Sequence, residues 1–327
     1  MKLGVVVRLD HLGKVIPGDS INYMDYVMEY FRKKSQVVMF DWRDVSKDLI
    51  VSKYAVGDKG GVRIRDSPKK LNELCDFIFI KQLGKVYEAR EEFLSFLDSL
   101  KNFDGTILNP LDTIRNNFSK KYLIDLQEKG LPTVPTIALK ENISLEEVKE
   151  TEFSFAHYSG KPNDYVVKPM DFGEMGVAVK KVSEFENEEE FQEYLKKNSP
   201  VLLQPFISDI LENGENSLIF LSKEFAHAIR KVSEGFKINC GLLNTNYELY
   251  KPNDSELKIC ERIHESWKDE LGYWRVDFIY VDGKPLISEV EAANPALYPE
   301  NCPSISKEFT SKLDAFLGEY YESKVNG

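Results

Sequence analysis

The chain has 327 residues, 42% of them hydrophobic and 30% charged, with a formal net charge of −11, so it is long enough for two or three domains with substantial cores. The acidic balance argues against a protein that neutralises many phosphates of DNA or RNA, whereas a small anionic ligand needs only a local basic patch. The cysteines, Cys75, Cys240, Cys260 and Cys302, form no C-x-x-C pair and the four histidines have no metal-ligand spacing, which fits reduced, packed thiols rather than zinc or a disulfide framework.

No apolar run reaches the length of a membrane span, and "MKLGVVVRLD" enters strand-like sequence without signal-peptide anatomy, so the expectation is a cytoplasmic protein with no membrane partner. The first hundred or so residues alternate: strand "KLGVVVR", helix "INYMDYVMEYFRKK", strands "QVVMFDW" and "DFIFIKQL", helix "YEAREEFLSFLDSL" and strand "GTILN". That pattern predicts an open α/β domain with a parallel sheet. Within it "GKVIPGDS" (13–20) has the G-x-x-x-x-G spacing of a P-loop, but Asp19 stands where the phosphate-binding lysine belongs, so it reads as a turn-rich loop.

In "NPLDTIRNNFSKKYLIDLQEKGLPTVPT", Phe118, Tyr122, Leu123 and Leu126 make an apolar stripe at helical spacing, ended by Gly130 and Pro132. Ser144 and Glu147 form a capping box that opens a short helix. Strands at 164–169 and 176–181 flank a glycine loop, and a helix follows at about 186–197. Strands within 200–231, a helix over 253–270, a hairpin over 272–291 and a closing helix over 305–323 complete the chain.

Two stretches carry chemistry. In "YVVKPMDFGEMGV" (165–177), Lys168 is either a solvated strand end beside glycines that supply positive φ, or half of a phosphate clamp made with the N–H groups of a glycine loop. In "YWRVDFIYVDGKPLISEVEAANP" (273–295), a two-residue Asp-Gly turn would pair Val281 with Lys284 and mix Arg275 and Asp277 with Ser288 and Val290 on one face. A three-residue loop, Val281-Asp282-Gly283, pairs Tyr280 with Lys284 instead and gives Val276, Phe278, Tyr280, Leu286 and Val290 a common buried face. That register gathers Arg275, Asp277, Glu289 and Glu291 opposite, and crowded carboxylates of this kind suit a Mg²⁺ site. The alternative is a charged, solvated hairpin face.

In order and spacing these features resemble the ATP-grasp superfamily, and within it the glutathione synthetase-like amide ligases, over nearly the whole chain. The resemblance implies an ATP-grasp fold behind an N-terminal open α/β domain. It divides the chain into 1–112 (N-terminal substrate domain), 113–200 (small lid domain with its connecting helix) and 201–327 (C-terminal domain with the metal site). "NPLDTIRNNFSKKYLIDL" is similar to the helix entry with the first ATP lysine, here Lys120, with Lys121 the second choice. "YVVKP" is similar to the strand with the second lysine, Lys168, and "DFGEMG", with Gly173 and Gly176, to the loop that closes over the phosphates. "VLLQPFISDILENGENSLIF" resembles the interdomain hinge, where the backbone of Leu203 to Phe206 would meet adenine, Gln204, Pro205 and Phe206 would line the pocket, and Glu215 would take the ribose hydroxyls.

"AIRKVSEGFKINCG" is similar to the family segment with an arginine near the transferred phosphate, here Arg230, and an asparagine downstream, here Asn239. The hairpin matches the metal-binding one, with Asp277, Glu289 and Glu291 as ligands and Arg275 beside them. Arg230 and Arg275 could each be an ordinary structural ion-pair residue instead. The E-x-E spacing, "GENS" and "YEAREEFLSFL" are closer to D-cycloserine synthetase-like proteins than to glutathione synthetases, which carry E-x-N. Ser217 stands where glutathione synthetases have a substrate arginine, and "IKQLGKVY" (80–87) lacks the Arg-Ser/Thr-Trp-Asp signature of the cycloserine-like group, so the nucleotide chemistry transfers and the substrate does not.

The resemblance implies an ADP-forming ligase that joins a small carboxylate to an amine through an acyl phosphate, using ATP and Mg²⁺ or Mn²⁺. A small-molecule kinase and a nucleotide-binding protein without turnover are the other readings. Oligomeric state is left open, a homo-oligomer included.

Overall fold

The computed structural model describes residues 2–7, 37–58, 61–81, 83–172, 178–233, 245–298 and 303–326. The helix expected over 21–34 and the loop 13–20 lie outside them. Leu3–Val6 sits between Val37–Phe40 and Phe77–Ile80, all parallel, with Thr106–Leu108 beyond. "LGVV", "VVMF" and "FIFI" are buried at every position, as strands covered on both faces must be. The sequence reading missed an antiparallel hairpin, Tyr54–Asp58 with Gly61–Arg65, which extends this sheet beside Val37–Phe40 to six strands. Alternation with glycine and arginine at an edge hides such strands from a search for apolar runs.

A small antiparallel sheet runs in the order Lys180–Lys181, Tyr165–Pro169, Val201–Pro205, Ile137–Ala138. Its core is its own: Tyr165, Val167, Leu203, Phe185 and Phe191 pack with Leu145 and Val148. Val201–Pro205, just past the expected division at residue 200, pairs within this sheet. The capping box at Ser144 is present.

The third sheet is antiparallel, in the order Thr245–Leu249, Glu224–Ser233, Glu215–Leu221, Tyr273–Val281, Lys284–Glu291. Leu218, Phe220, Val276, Phe278 and Val290 on one face pack against Ile259 and Ile263 of the helix Asp254–Ser266 and Leu123 and Leu126 of the helix Tyr122–Glu128. Part of the other face shares a core with the N-terminal sheet and the closing helix Pro303–Asn326. Among the described residues no helix is long and apolar enough to cross a membrane.

Candidate functional site

The hairpin Tyr273–Glu291 sets the site. Val281 pairs with Lys284, so the turn is the two-residue Asp282-Gly283, with φ of 49° and 74°, and not the expected three-residue loop. Asp-Gly accepts the two positive φ values of the turn whose twist suits a hairpin. The extra residue lies instead in the strand, where Ser288 bulges between the pairs Phe278–Ile287 and Asp277–Glu289. Beyond the bulge Arg275 faces Glu291, so Arg275, Asp277, Glu289 and Glu291 share one face after all. Leu286, expected beside Val276, packs on the other side with Ile279.

Pairing extends that face across the sheet, since Ser217 opposes Asp277 and Lys231 opposes Glu215. Lys231, 1% exposed, lies 2.6 Å from Glu215 Oε2 and 3.6 Å from Asp277 Oδ2. Ser288 Oγ donates to Glu215 Oε1 at 2.7 Å. Arg275 grips Asp277 through Nε and Nη2, both at 2.9 Å, and reaches Glu291 Oε2 through Nη1 at 2.6 Å. Lys120 forms an ion pair with Glu289.

Burial works against every one of these charges, and the neighbours decide the outcome. Burial opposes ionisation of Asp277, but Arg275 and Lys231 hold it down at about 2. Burial also penalises Glu289, yet Lys120 brings it below the ordinary glutamate range. Glu291 and Glu215 are raised, burial outweighing Arg275 in one case and Lys231 in the other. Lys231 stands well above the usual lysine range despite burial, because Asp277 and Glu215 flank it.

Lys168 comes from the small sheet. It pairs with Leu202, and Val166 pairs with Gln204, so Lys168 and Gln204 share the face opposite the Tyr165 and Val167 core. Lys168 is brought down to about 7, by burial first and then by the charge of Lys120, with Glu289 and Glu215 acting in the opposite sense. Lys120, whose N–H donates to Met170 O and whose ammonium pairs with Glu289, links the end of this strand to the carboxylate face of the large sheet. Among the described residues no carboxylate forms an ion pair with Lys168. Gln204, 7% exposed, donates to Thr136 Oγ1 at 2.8 Å. Pro205 pairs with Tyr165, and the Phe206 ring carries Lys181 Nζ 3.6 Å from its centre.

Arg230 does not join this cluster. It opposes Asn216, which opposes Phe278, so it lies on the reverse face, bonded to Asn216 Oδ1 at 3.2 Å and over the Tyr250 ring. Gly173, Gly176 and Asn239 lie outside the described residues.

No family model matches the sequence. The cycloserine biosynthesis protein DcsG of Streptomyces lavendulae is 25% identical over 227 residues, 64% of this chain and 73% of that protein. The crystal structure of D-cycloserine synthetase DcsG superposes on 97% of this chain and 100% of its own, with TM-score 0.69 and 19% identity. D-alanine–D-alanine ligase from Bacillus anthracis, solved with ATP, gives TM-score 0.62 at 16% identity over 99% and 98% of the two chains. The ATP-grasp ligase PsnB, solved with a precursor variant, Mg and ADP, gives 0.57 at 15% identity over 96% and 98%. The chain has the fold of the ATP-grasp ligases. The resemblance read in the sequence, its cycloserine synthetase-like character included, is borne out.

Within the ATP-grasp frame the glutamates suit a hard divalent ion better than the aspartate does. The side chains of Glu289 and Glu291 are 32% and 28% exposed; Glu289 pairs with Lys120 through Oε1 and has Oε2 3.9 Å from Arg275 Nη2, and Glu291 pairs with Arg275 through Oε2. Asp277 is 1% exposed with both oxygens engaged by Arg275 and Ser217. Among the described residues no three acidic, histidine or cysteine side chains converge as a ready-made metal cage. Mg²⁺ needs none, since one or two carboxylates plus substrate phosphates hold it.

Sequence reasoning missed Lys231, Ser288 and Lys81, the last 3% exposed and donating to the Pro295 carbonyl. Adjacent Arg230 and Lys231 must point to opposite faces, but the face each takes depends on a pairing register that the sequence does not state.

Proposed function

We propose that the protein is an ADP-forming carboxylate–amine ligase. The observation that carries this reading is that Lys120 links two antiparallel sheets, bonded through its N–H to Met170 O just past Lys168 of the one and through its ammonium to Glu289 on the Arg275–Asp277–Glu289–Glu291 face of the other. Lys120 and Lys168 hold the phosphates of ATP, and the backbone of 203–206 receives the base. Glu289 and Glu291 would hold Mg²⁺, which when bound would neutralise phosphate charge. Asp277 fixes the guanidinium of Arg275, which then faces the transferred phosphoryl group or the substrate carboxylate.

A carboxylate oxygen attacks the γ-phosphorus and ADP departs, leaving an acyl phosphate. The amine nitrogen then attacks the carbonyl carbon, phosphate leaves, and the amine gives up its proton as the amide forms. Such chemistry asks for positioning and charge stabilisation, which lysines, an arginine and a metal site supply, and needs no protein nucleophile. DcsG and D-alanine–D-alanine ligase support a substrate of amino-acid size, and PsnB, solved with a precursor, supports a peptide.

The test is a screen of amino acids, peptides and amines for ADP release with ATP and Mg²⁺, followed by mass spectrometry with an ¹⁸O-labelled carboxylate. An amide product with one label in the released phosphate is expected. A stable phosphoester, or AMP in place of ADP, would overturn the ligase reading.

A further inference from the structure

Strand Lys284–Glu291 is the last of its sheet, so the rim away from Tyr273–Val281 needs other partners for its backbone. The chain between the N-terminal and small sheets supplies them. Ile287 donates its N–H to the Pro132 carbonyl at 2.7 Å, and Val134 donates to the Ile287 carbonyl at 2.9 Å. Farther along, side chains take over, beginning with the Tyr122 hydroxyl, which accepts from Val290 N at 3.2 Å. Asn117 then does three things: Nδ2 donates to the Val290 carbonyl at 2.8 Å, and Oδ1 accepts from Ala292 N at 2.7 Å and Ala293 N at 2.9 Å. Asn109 Nδ2 donates to the next carbonyl, Ala292 O, at 2.6 Å.

Asn117 is 8% exposed, and its bonds fall on the peptide groups flanking Glu291. Three residues later, Lys120 holds the side chain of Glu289. One short segment thus grips the glutamate pair twice, by backbone and by charge. A cover needed only for stability could have been another strand. Here a single amide fixes the backbone on both sides of one carboxylate.

We propose that Asn117 is a positioning residue for the Glu289–Glu291 pair: by holding Val290 O, Ala292 N and Ala293 N it sets how the two carboxylates face a magnesium-bound nucleotide. The proposal rests on the reading of these glutamates as the metal site. Hydrogen bonds behind a ligand set its orientation, and losing them typically weakens metal binding about 10- to 100-fold.

The experiment measures ADP binding to the full chain by calorimetry with and without Mg²⁺, together with melting temperature. Asn117→Ala loses all three bonds. Asn117→Asp keeps both acceptor bonds, loses the donor, and sets a carboxylate against the Val290 carbonyl. Both variants should bind Mg·ADP about tenfold more weakly or worse and metal-free ADP as the parent does, with Asn117→Asp folded but melting below the parent, because it buries a carboxylate against a carbonyl. By charge alone Asn117→Asp would tighten cation binding, so weaker binding isolates geometry. Should Asn117→Ala fail to fold, Asn117→Asp carries the test. Parental Mg·ADP affinity, or equal loss with and without metal, would overturn the positioning role. Failure of the underlying site shows separately: if Glu289→Gln and Glu291→Gln also bind Mg·ADP like the parent, the metal assignment falls and the Asn117 proposal with it.

Discussion

Lys168 and Asp277 are both drawn away from water, and their neighbours send them in opposite directions. Lys168, brought to about 7 by burial and by Lys120, is partly neutral at neutral pH, and a triphosphate beside it would favour the ammonium. ATP affinity should therefore be constant below pH 7 and fall as the pH rises above it, with a proton taken up on binding. Calorimetry at pH 8 in buffers of different ionisation enthalpy measures that uptake, and Lys168→Met should abolish it. Affinity that stays level from pH 7 to 9 would remove Lys168 from the clamp. Asp277 differs because its partners Arg275 and Lys231 are buried with it. Asp277→Asn should cost about 3 kcal/mol or more, since it strands buried cations. Glu289→Gln, at a partly exposed ion pair, should cost only about 1 kcal/mol while raising the Mg²⁺ concentration needed for turnover, part of which excess Mg²⁺ recovers. Denaturant melts and Mg²⁺ titrations of the two variants separate a scaffold residue from a ligand. Lys168 and the E-x-E pair are singled out in the sequence by the order of the motifs and the family resemblance that order carries, since Lys168 taken alone reads as a solvated strand end. Lys231 is not, because its importance lies in opposing Glu215, a contact that no local pattern records.

Among the elements, the carboxylate hairpin shows what a residue count can and cannot fix. One extra residue had to lie between Asp277 and Glu289 for both to share a face, and the sequence is equally consistent with placing it in the turn or in the strand. The turn took the two residues with positive φ, and Ser288 took the bulge. Gly283 has φ of 74°, and a Cβ there would meet nothing within 4 Å. Gly283→Val should therefore cost about 1–3 kcal/mol for backbone reasons alone, with Gly283→Asn recovering most of it, because asparagine tolerates this region. Nucleotide affinity should be unchanged in both, as the bulge and not the turn sets the carboxylate register. Losing ADP binding in Gly283→Asn would place the register determinant in the turn. The contact of the closing helix with strand Glu224–Ser233 carries a pH dependence of its own. His227, buried against Phe309 with Nε2 at 2.7 Å from the Leu297 carbonyl, has no partner for Nδ1 among the described residues, and burial lowers it to about 4. A folded value below the unfolded one means stability is full above pH 6.5 and is lost as the pH falls through 4. The total is roughly 3 kcal/mol. His227→Gln should flatten stability over that window in denaturant melts at successive pH values, and an unaltered slope would show that the ring is solvated when charged.

At the scale of the whole molecule, the cores divide the chain differently from the elements. Leu3, Val5, Phe77 and Phe79 of the N-terminal sheet share one cluster with Ile219, Ile229 and Tyr273 of the large sheet and Leu313 and Leu317 of the closing helix. The Tyr273 hydroxyl reinforces it by donating to the Ile80 carbonyl. The order of elements, and so the fold, could be read along the sequence, but this sharing could not, because hydrophobic periodicity marks a buried face without naming what covers it. The small sheet keeps a separate core. The chain just after its lysine strand is tied to the rest through a narrow seam, where Lys120 N donates to Met170 O at 2.7 Å, Phe172 N donates to Phe118 O at 2.8 Å, and the Phe118 and Phe172 rings stack at 5.1 Å. Contiguous units with their own cores open with their own free energies. Native-state hydrogen exchange should accordingly give Val166, Val167, Leu202 and Leu203 one common opening free energy, lower than that of Val5, Ile78, Leu218 and Val276. Phe172→Ala should lower the first value by about 1 kcal/mol through the lost ring pair and leave the second unchanged. If Mg·ATP binds between the two sheets as proposed, it should raise protection most in the small sheet, because its seam is the weaker restraint and the nucleotide adds a second one. If all eight amides instead share one free energy, with or without nucleotide, the small sheet is no independent lid.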